Sequence, residues 1–174
     1  MKRVLFLGAP GSGKSTQGQM LAEKLGWKWI STGELLRSSD EPWVKEKLKT
    51  AELFPDEMIF GLLTEALAGV DGAILDGAVR TKAQALYVLS PEIGLDTVVE
   101  ISVPREELLK RVLQRGRDQD TEEIATQRLE DYDKMKGEIL EVLRQGGVKI
   151  LEVDGVGTPE EVQARLREVL KEEQ

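Results

Sequence analysis

The run RVLFL at residues 3–7 leads directly into GAPGSGKS at residues 8–15, and a helical pattern, STQGQMLAEKL, follows from Ser15. Gly8, Gly13, Lys14 and Ser15 stand at the spacing GxxxxGK[ST]. A buried strand entering such a loop and a helix leaving it aim backbone N–H groups and a helix N-terminus at one point, which suits phosphate oxygens. A glycine-rich turn without a ligand is the structural alternative, and the strand and helix on either side argue against it.

The remaining chain repeats the same grammar of short apolar runs separated by longer helical patterns. Strands are predicted at Arg3–Leu7, Trp27–Ile30, Ala73–Leu75, Thr97–Val103 and Val148–Val153. Helices are predicted at Gly13–Leu25, Thr32–Arg37, Pro42–Leu48, Pro55–Ala68, Lys82–Leu89, Arg105–Gln114, Thr121–Gln145 and Pro159–Lys171. Pro159 after Thr158 supplies helix-start chemistry, and Gly146-Gly147 stops the longest helix. The expected fold class is α/β: a three-layer P-loop NTPase fold, with a five-stranded parallel sheet flanked by helices. Ser38–Phe54 and Arg115–Asp120 read as insertions over the sheet, where a substrate cover would be built.

At 174 residues and 40% hydrophobic content the chain suits one compact domain, 1–174. The 24 Lys+Arg against 32 Asp+Glu give a net charge of −8, which opposes broad attraction to nucleic acid or acidic membranes. No stretch approaches the roughly 20 apolar residues of a membrane span, and MKRVLFLGAP runs into a glycine loop rather than a cleavage site. The expectation is a mature chain that begins at Met1. There is no cysteine and no histidine, so chemistry must rest on carboxylates, Lys, Arg, hydroxyls, backbone amides and an oxygen-bound metal. Phosphoryl transfer, mostly positioning and charge neutralisation, fits that inventory.

On this reading Lys14 reaches the β and γ phosphates, and Gly11, Ser12, Gly13 and Thr16 line the ATP site. The Ser15 hydroxyl takes a place on Mg²⁺. Asp76 ends the run AILD, so its carboxylate emerges at the carboxyl end of a strand, where open α/β sheets place ligands. It reads as the second metal anchor, or alternatively as the cap of the following turn.

The sequence resembles the adenylate kinases over nearly its whole length. The resemblance is carried by GAPGSGKSTQ at 8–17, STGELLR at 31–37, LFPDEMI at 53–59, LDGAVRTKAQA at 75–85, RGRDQDTEEIATQRLEDY at 115–132 and VDGVGTPEEV at 153–162. It implies transfer of the γ phosphate of ATP to a nucleoside monophosphate, most simply AMP, by a cytoplasmic monomer. It also implies a monophosphate-binding arm at 31–60 and a lid at 115–120. Thr32 and Arg37 would hold the monophosphate, Gly77 and Arg80 would complete its pocket, and Gln84 would read the base. Arg115, Arg117 and Arg128 would surround the transferring group. Arg111 would lie against the adenine of ATP, with Gly155 to Gly157 passing beside it. Several cations around a metaphosphate-like group also make physical sense on their own. For each arginine the alternative is an exposed helix residue paired with a nearby carboxylate.

The chain departs from the family in four places. Ser15 stands where the family usually has Gly, which is the commoner P-loop form. Ala78-Val79 replaces Phe-Pro, removing a ring expected to pack on the acceptor base. The arm between Arg37 and Asp56 is short, and the lid is reduced to Gly116 between Arg115 and Arg117; a raised ratio of ATP hydrolysis to transfer is expected. Gln119 replaces the first of two aspartates, leaving Asp120. Two other readings compete: a small-metabolite kinase of shikimate or gluconate type, and a nucleotide-binding or ATPase protein with a degenerate acceptor site. Trp27 and Trp29 read as packing, Trp43 as an anchor of the arm or a face for the nucleoside, and Glu122-Glu123 as acids complementing a helix dipole.

Overall fold

Every residue of β1 (Lys2–Leu7) after Lys2 is buried, because this strand lies at the centre of the sheet with helices on both faces. Its side chains alternate. Val4 and Phe6 join one apolar cluster with α1 (Lys14–Leu25) and α8 (Pro159–Lys171), whereas Leu5 and Leu7 join the cluster on the other face. The computed structural model describes residues 2–116 and 121–171.

Four more strands, β2 (Lys28–Ser31), β3 (Gly72–Asp76), β4 (Thr97–Ser102) and β5 (Lys149–Asp154), pair in parallel in the order β2-β3-β1-β4-β5. Their carboxyl ends come level: Asp76 lies opposite both Phe6 and Ser31, and Ser102 lies opposite Asp154. The chain leaves β1 between β3 and β4, so a crevice opens there, where ligands bind in open α/β sheets. This is the expected P-loop NTPase arrangement, with every strand end within one residue of its predicted place.

The second face of the sheet is covered by α2 (Thr32–Arg37), α3 (Pro42–Leu48), α4 (Asp56–Leu67), α5 (Lys82–Val88) and α7 (Glu122–Gln145). Leu63 of α4 and Leu143 of α7 are fully buried there. The remaining helix, α6 (Arg105–Gln114), packs Leu108 with Ala9 of the glycine loop and Leu129 of α7. Glu100 interrupts the apolar run of β4 on the α7 face; buried, it is paired with Lys136 of α7. A buried carboxylate without that partner would be costly.

Helix starts follow local chemistry. Thr121 accepts from the Ile124 N–H at the start of α7, and Thr158 with Glu161 forms a reciprocal capping box at the start of α8. Trp27 and Trp29 pack against the α1/α8 cluster, as the strand alternation suggested. The Trp27 ring lies so close to Gly72 that a Cβ there would come within 2.7 Å of it.

Candidate active site

The glycine loop joins β1 to α1, and Gly13 begins the helix at φ +88° without any side-chain cap. An L side chain rarely adopts that conformation, and the uncapped first turn leaves its N–H groups aimed at an anion. Ser12 is buried with a hydroxyl that has no hydrogen-bond partner. Lys14 Nζ donates back to the Ala9 carbonyl at 3.3 Å.

Ser15 Oγ donates to Asp76 Oδ2 at 2.6 Å, while Asp76 Oδ1 is a buried acceptor with no partner. This hydroxyl–carboxylate pair beside the phosphate loop is the donor set a hard divalent cation takes, the other ligands being phosphate oxygens and water. Among the described residues no group of three or more His, Cys, Asp or Glu could hold a metal without such completion.

Two clefts meet at this point. A cleft of about 470 Å³ runs over the glycine loop, lined by Gly11, Gly13, Thr16, Arg111, Gly155 and Gly157 among others. Ser12 lines it as well. Arg111 is held by Glu107 at 2.8 Å and by the Gly155 carbonyl at 3.1 Å, and its guanidinium keeps the Glu107 carboxyl below its ordinary value. A second cleft, about 120 Å³, is lined by Thr32, Arg37, Gly77, Arg80, Gln84 and Arg128. Lys14, Ser15 and Arg115 belong to both.

In the second cleft Thr32 Oγ1 donates to the Gly77 carbonyl at 2.7 Å. Gly77 sits at φ +68°, and a Cβ there would come within 3.1 Å of Thr32 Oγ1. The turn therefore favours glycine. Arg37 is paired with Glu34 at 2.5 Å. Arg80 has solvent-accessible surface at the cleft mouth, yet its guanidinium is crowded by protein: desolvation first, then Arg37 and Arg115, push its pKa down, and Asp76 opposes them. An arginine so placed remains charged at neutral pH and welcomes an anion.

Three residues singled out by the sequence have surroundings that it did not show. Arg128 lines the second cleft, and its Nη2 donates to the carbonyls of Leu48 at 3.2 Å and Thr50 at 2.9 Å, so it also ties the end of α3 and the segment after it to α7. Ala78 is fully buried in the core cluster and does not line the second cleft, and Val79 lines instead an apolar cavity of about 80 Å³ beside Tyr132 and Met135. Position 78, where the resemblance led one to expect a ring over the acceptor base, faces the core in this chain. Trp43 is 49% exposed and packs on Phe54 with centroids 6.0 Å apart; Phe54, not Trp43, lines the second cleft. Arg117, Gln119 and Asp120 lie outside the described residues.

Sequence reading passed over Phe54, Lys47, Asp56 and Thr81. Lys47 lines the cleft 6.0 Å from the Phe54 centroid and pairs with Glu52 at 2.8 Å, holding that carboxyl below its ordinary value. Asp56 follows Pro55 at a helix start, but nothing local says that it accepts hydrogen bonds from Thr81 and Gln84 at the start of α5.

Comparison with known proteins agrees with this geometry. The family model described as adenylate kinase matches residues 6–148. The adenylate kinase of Thermus thermophilus is 42% identical, the match covering 96% of this chain and 96% of that protein. That of Leptospira biflexa is 35% identical, over 93% of this chain and 96% of that one. For the adenylate kinase of Mycobacteroides abscessus the identity is 38%, over 97% and 98%. With its glycine loop, paired clefts and relatives aligned over nearly the whole length, this chain belongs to the adenylate kinase family.

Proposed function

We propose that this protein transfers the γ-phosphoryl group of ATP to AMP, giving two ADP. The observation that carries the reading is the meeting of the two clefts at Lys14, Ser15 and Arg115. ATP occupies the larger cleft with its phosphates on the glycine loop, and AMP occupies the smaller with its phosphate toward Arg37 and Arg80. The bond from the β,γ-bridging oxygen to the γ phosphorus breaks as a bond from an AMP phosphate oxygen to that phosphorus forms. The acceptor is already an ionised phosphate, so no catalytic base is required. Lys14, Arg80, Arg115, Arg117 and Arg128 neutralise charge on the transferring group. Thr32 and Gly77 shape the acceptor turn, and Arg111 with Gly157 flanks the donor adenine.

Ser15 and Asp76 would hold Mg²⁺, which supplies charge neutralisation at the phosphates when bound. The family resemblance supports a monomer in the cytoplasm, an arm at 31–60 and a minimal lid at 115–120. Among the described residues no helix is long and apolar enough to cross a membrane.

The test is an acceptor panel: Mg-ATP with, separately, AMP, CMP, UMP, GMP, dTMP, shikimate and gluconate, following loss of each acceptor. Rapid conversion of AMP is expected, abolished in Lys14→Met. Consumption of shikimate or gluconate, or of no acceptor while ATP binds, would reject the reading.

A further inference from the structure

Gln84, on the first turn of α5, is 3% exposed and lines the acceptor cleft. Its amide has two unlike ends, since Oε1 only accepts and Nε2 only donates. Each end meets a protein group that cannot exchange roles. The Arg80 backbone N–H donates to Oε1 at 2.7 Å, and Nε2 donates to Asp56 Oδ1 at 2.8 Å. Thr81 Oγ1, which caps α5 by accepting from the Gln84 N–H at 3.1 Å, donates to the same Asp56 oxygen at 2.9 Å. Turning the amide over would set Nε2 against an N–H and Oε1 against a carboxylate. Two hydrogen bonds would become two repulsions in a buried place. The amide is therefore held in one orientation before any ligand enters.

What remains for a ligand is one N–H of Nε2 and one lone pair of Oε1. A purine with an amine at C6 beside the acceptor nitrogen N1 complements that pair: Oε1 accepts from the amine and Nε2 donates to N1. A purine with a carbonyl at C6 and a proton on N1 presents the reverse, and in the same pose meets acceptor with acceptor and donor with donor. We infer that Asp56, through its hydrogen bond to Gln84, is a positioning residue that sets the acceptor site's preference for 6-amino over 6-oxo purines. The inference rests on the reading of this cleft as the nucleoside monophosphate site. It gives the first residue of α4 a role in base choice, although Asp56 itself lines neither of the two clefts.

AMP and IMP isolate the effect, because they differ in the group at C6 and the protonation of N1. In the unaltered protein kcat/KM should favour AMP by on the order of ten-thousandfold, the range expected when a site's buried polar groups are left mismatched. In Asp56→Asn, whose side chain can present either a donor or an acceptor to Gln84, the AMP-to-IMP ratio should fall by about tenfold. The change should lie in KM for AMP, with kcat for AMP within about threefold and KM for ATP unchanged. Thr81→Ala removes the second bond to Asp56 and should shift the ratio the same way by about threefold; it serves as the reading if Asp56→Asn fails to fold. An unchanged ratio and unchanged KM for AMP in the folded variant would overturn the inference while leaving AMP phosphorylation intact. An unaltered protein that does not phosphorylate AMP would overturn both this inference and the function on which it rests.

Discussion

Ser15 Oγ and Asp76 Oδ2 are joined by a 2.6 Å hydrogen bond between the first turn of α1 and the last residue of β3. The other carboxylate oxygen is buried without a partner, so the pair is set for a ligand rather than for its own stability. Asp76→Asn should raise the Mg²⁺ concentration needed for half-maximal transfer and lower kcat by on the order of a hundredfold. The thermal midpoint without ligand should be kept or raised, since a buried charge is removed. Magnesium titration of activity beside a melting curve checks both; an unaltered magnesium requirement would remove Asp76 from the metal site.

Arg80 shares its neighbourhood with Arg37 and Arg115, and this crowding is relieved by an anion in the acceptor cleft. Arg80→Ala should raise KM for AMP by roughly tenfold to a hundredfold while KM for ATP moves less than about twofold. Steady-state kinetics with each substrate varied in turn provides the check. Equal loss of ATP affinity would contradict the acceptor-side role.

The bonds from Arg128 to the Leu48 and Thr50 carbonyls hold the end of α3 and the segment after it against α7. Charged hydrogen bonds of this kind contribute about 1.5–3 kcal/mol where they are not fully solvated. Arg128→Ala should therefore speed amide hydrogen exchange in the segment 48–54 by about tenfold and raise KM for AMP. Unchanged exchange in that segment would show that other contacts hold it.

On the proposed reading of 115–120 as a minimal lid, with Gly116 alone between Arg115 and Arg117 in the sequence, little chain is left to exclude water from the transferring group. ADP formation from ATP without acceptor, divided by the rate with AMP, should exceed that ratio in a relative with a longer lid. A ratio no higher would mean that water is excluded by other parts of the cleft.

Much of this was legible in the chain because local chemistry decided it. RVLFL and TVVEIS read as buried strands by their apolar runs, and Thr121 and Thr158 mark helix starts by capping chemistry that acts over three residues. The glycine loop was legible for the same reason, since its spacing is its mechanism. What escaped depends on distances between positions far apart in the chain. Nothing near Ala78 reveals that its side chain enters the core, and nothing near Arg128 reveals the carbonyls 78 and 80 positions away. Gln84 was readable as a candidate, but not the two protein groups that orient it, because Asp56 lies 28 positions earlier on another helix.

The fate of the γ phosphorus tests phosphate-to-phosphate transfer between the two clefts most directly. Protein, Mg²⁺, ATP labelled at the γ phosphorus and unlabelled AMP should give ADP carrying the label in its β position, with two ADP formed for each AMP lost. Label recovered as inorganic phosphate, with AMP unchanged, would contradict transfer between the clefts.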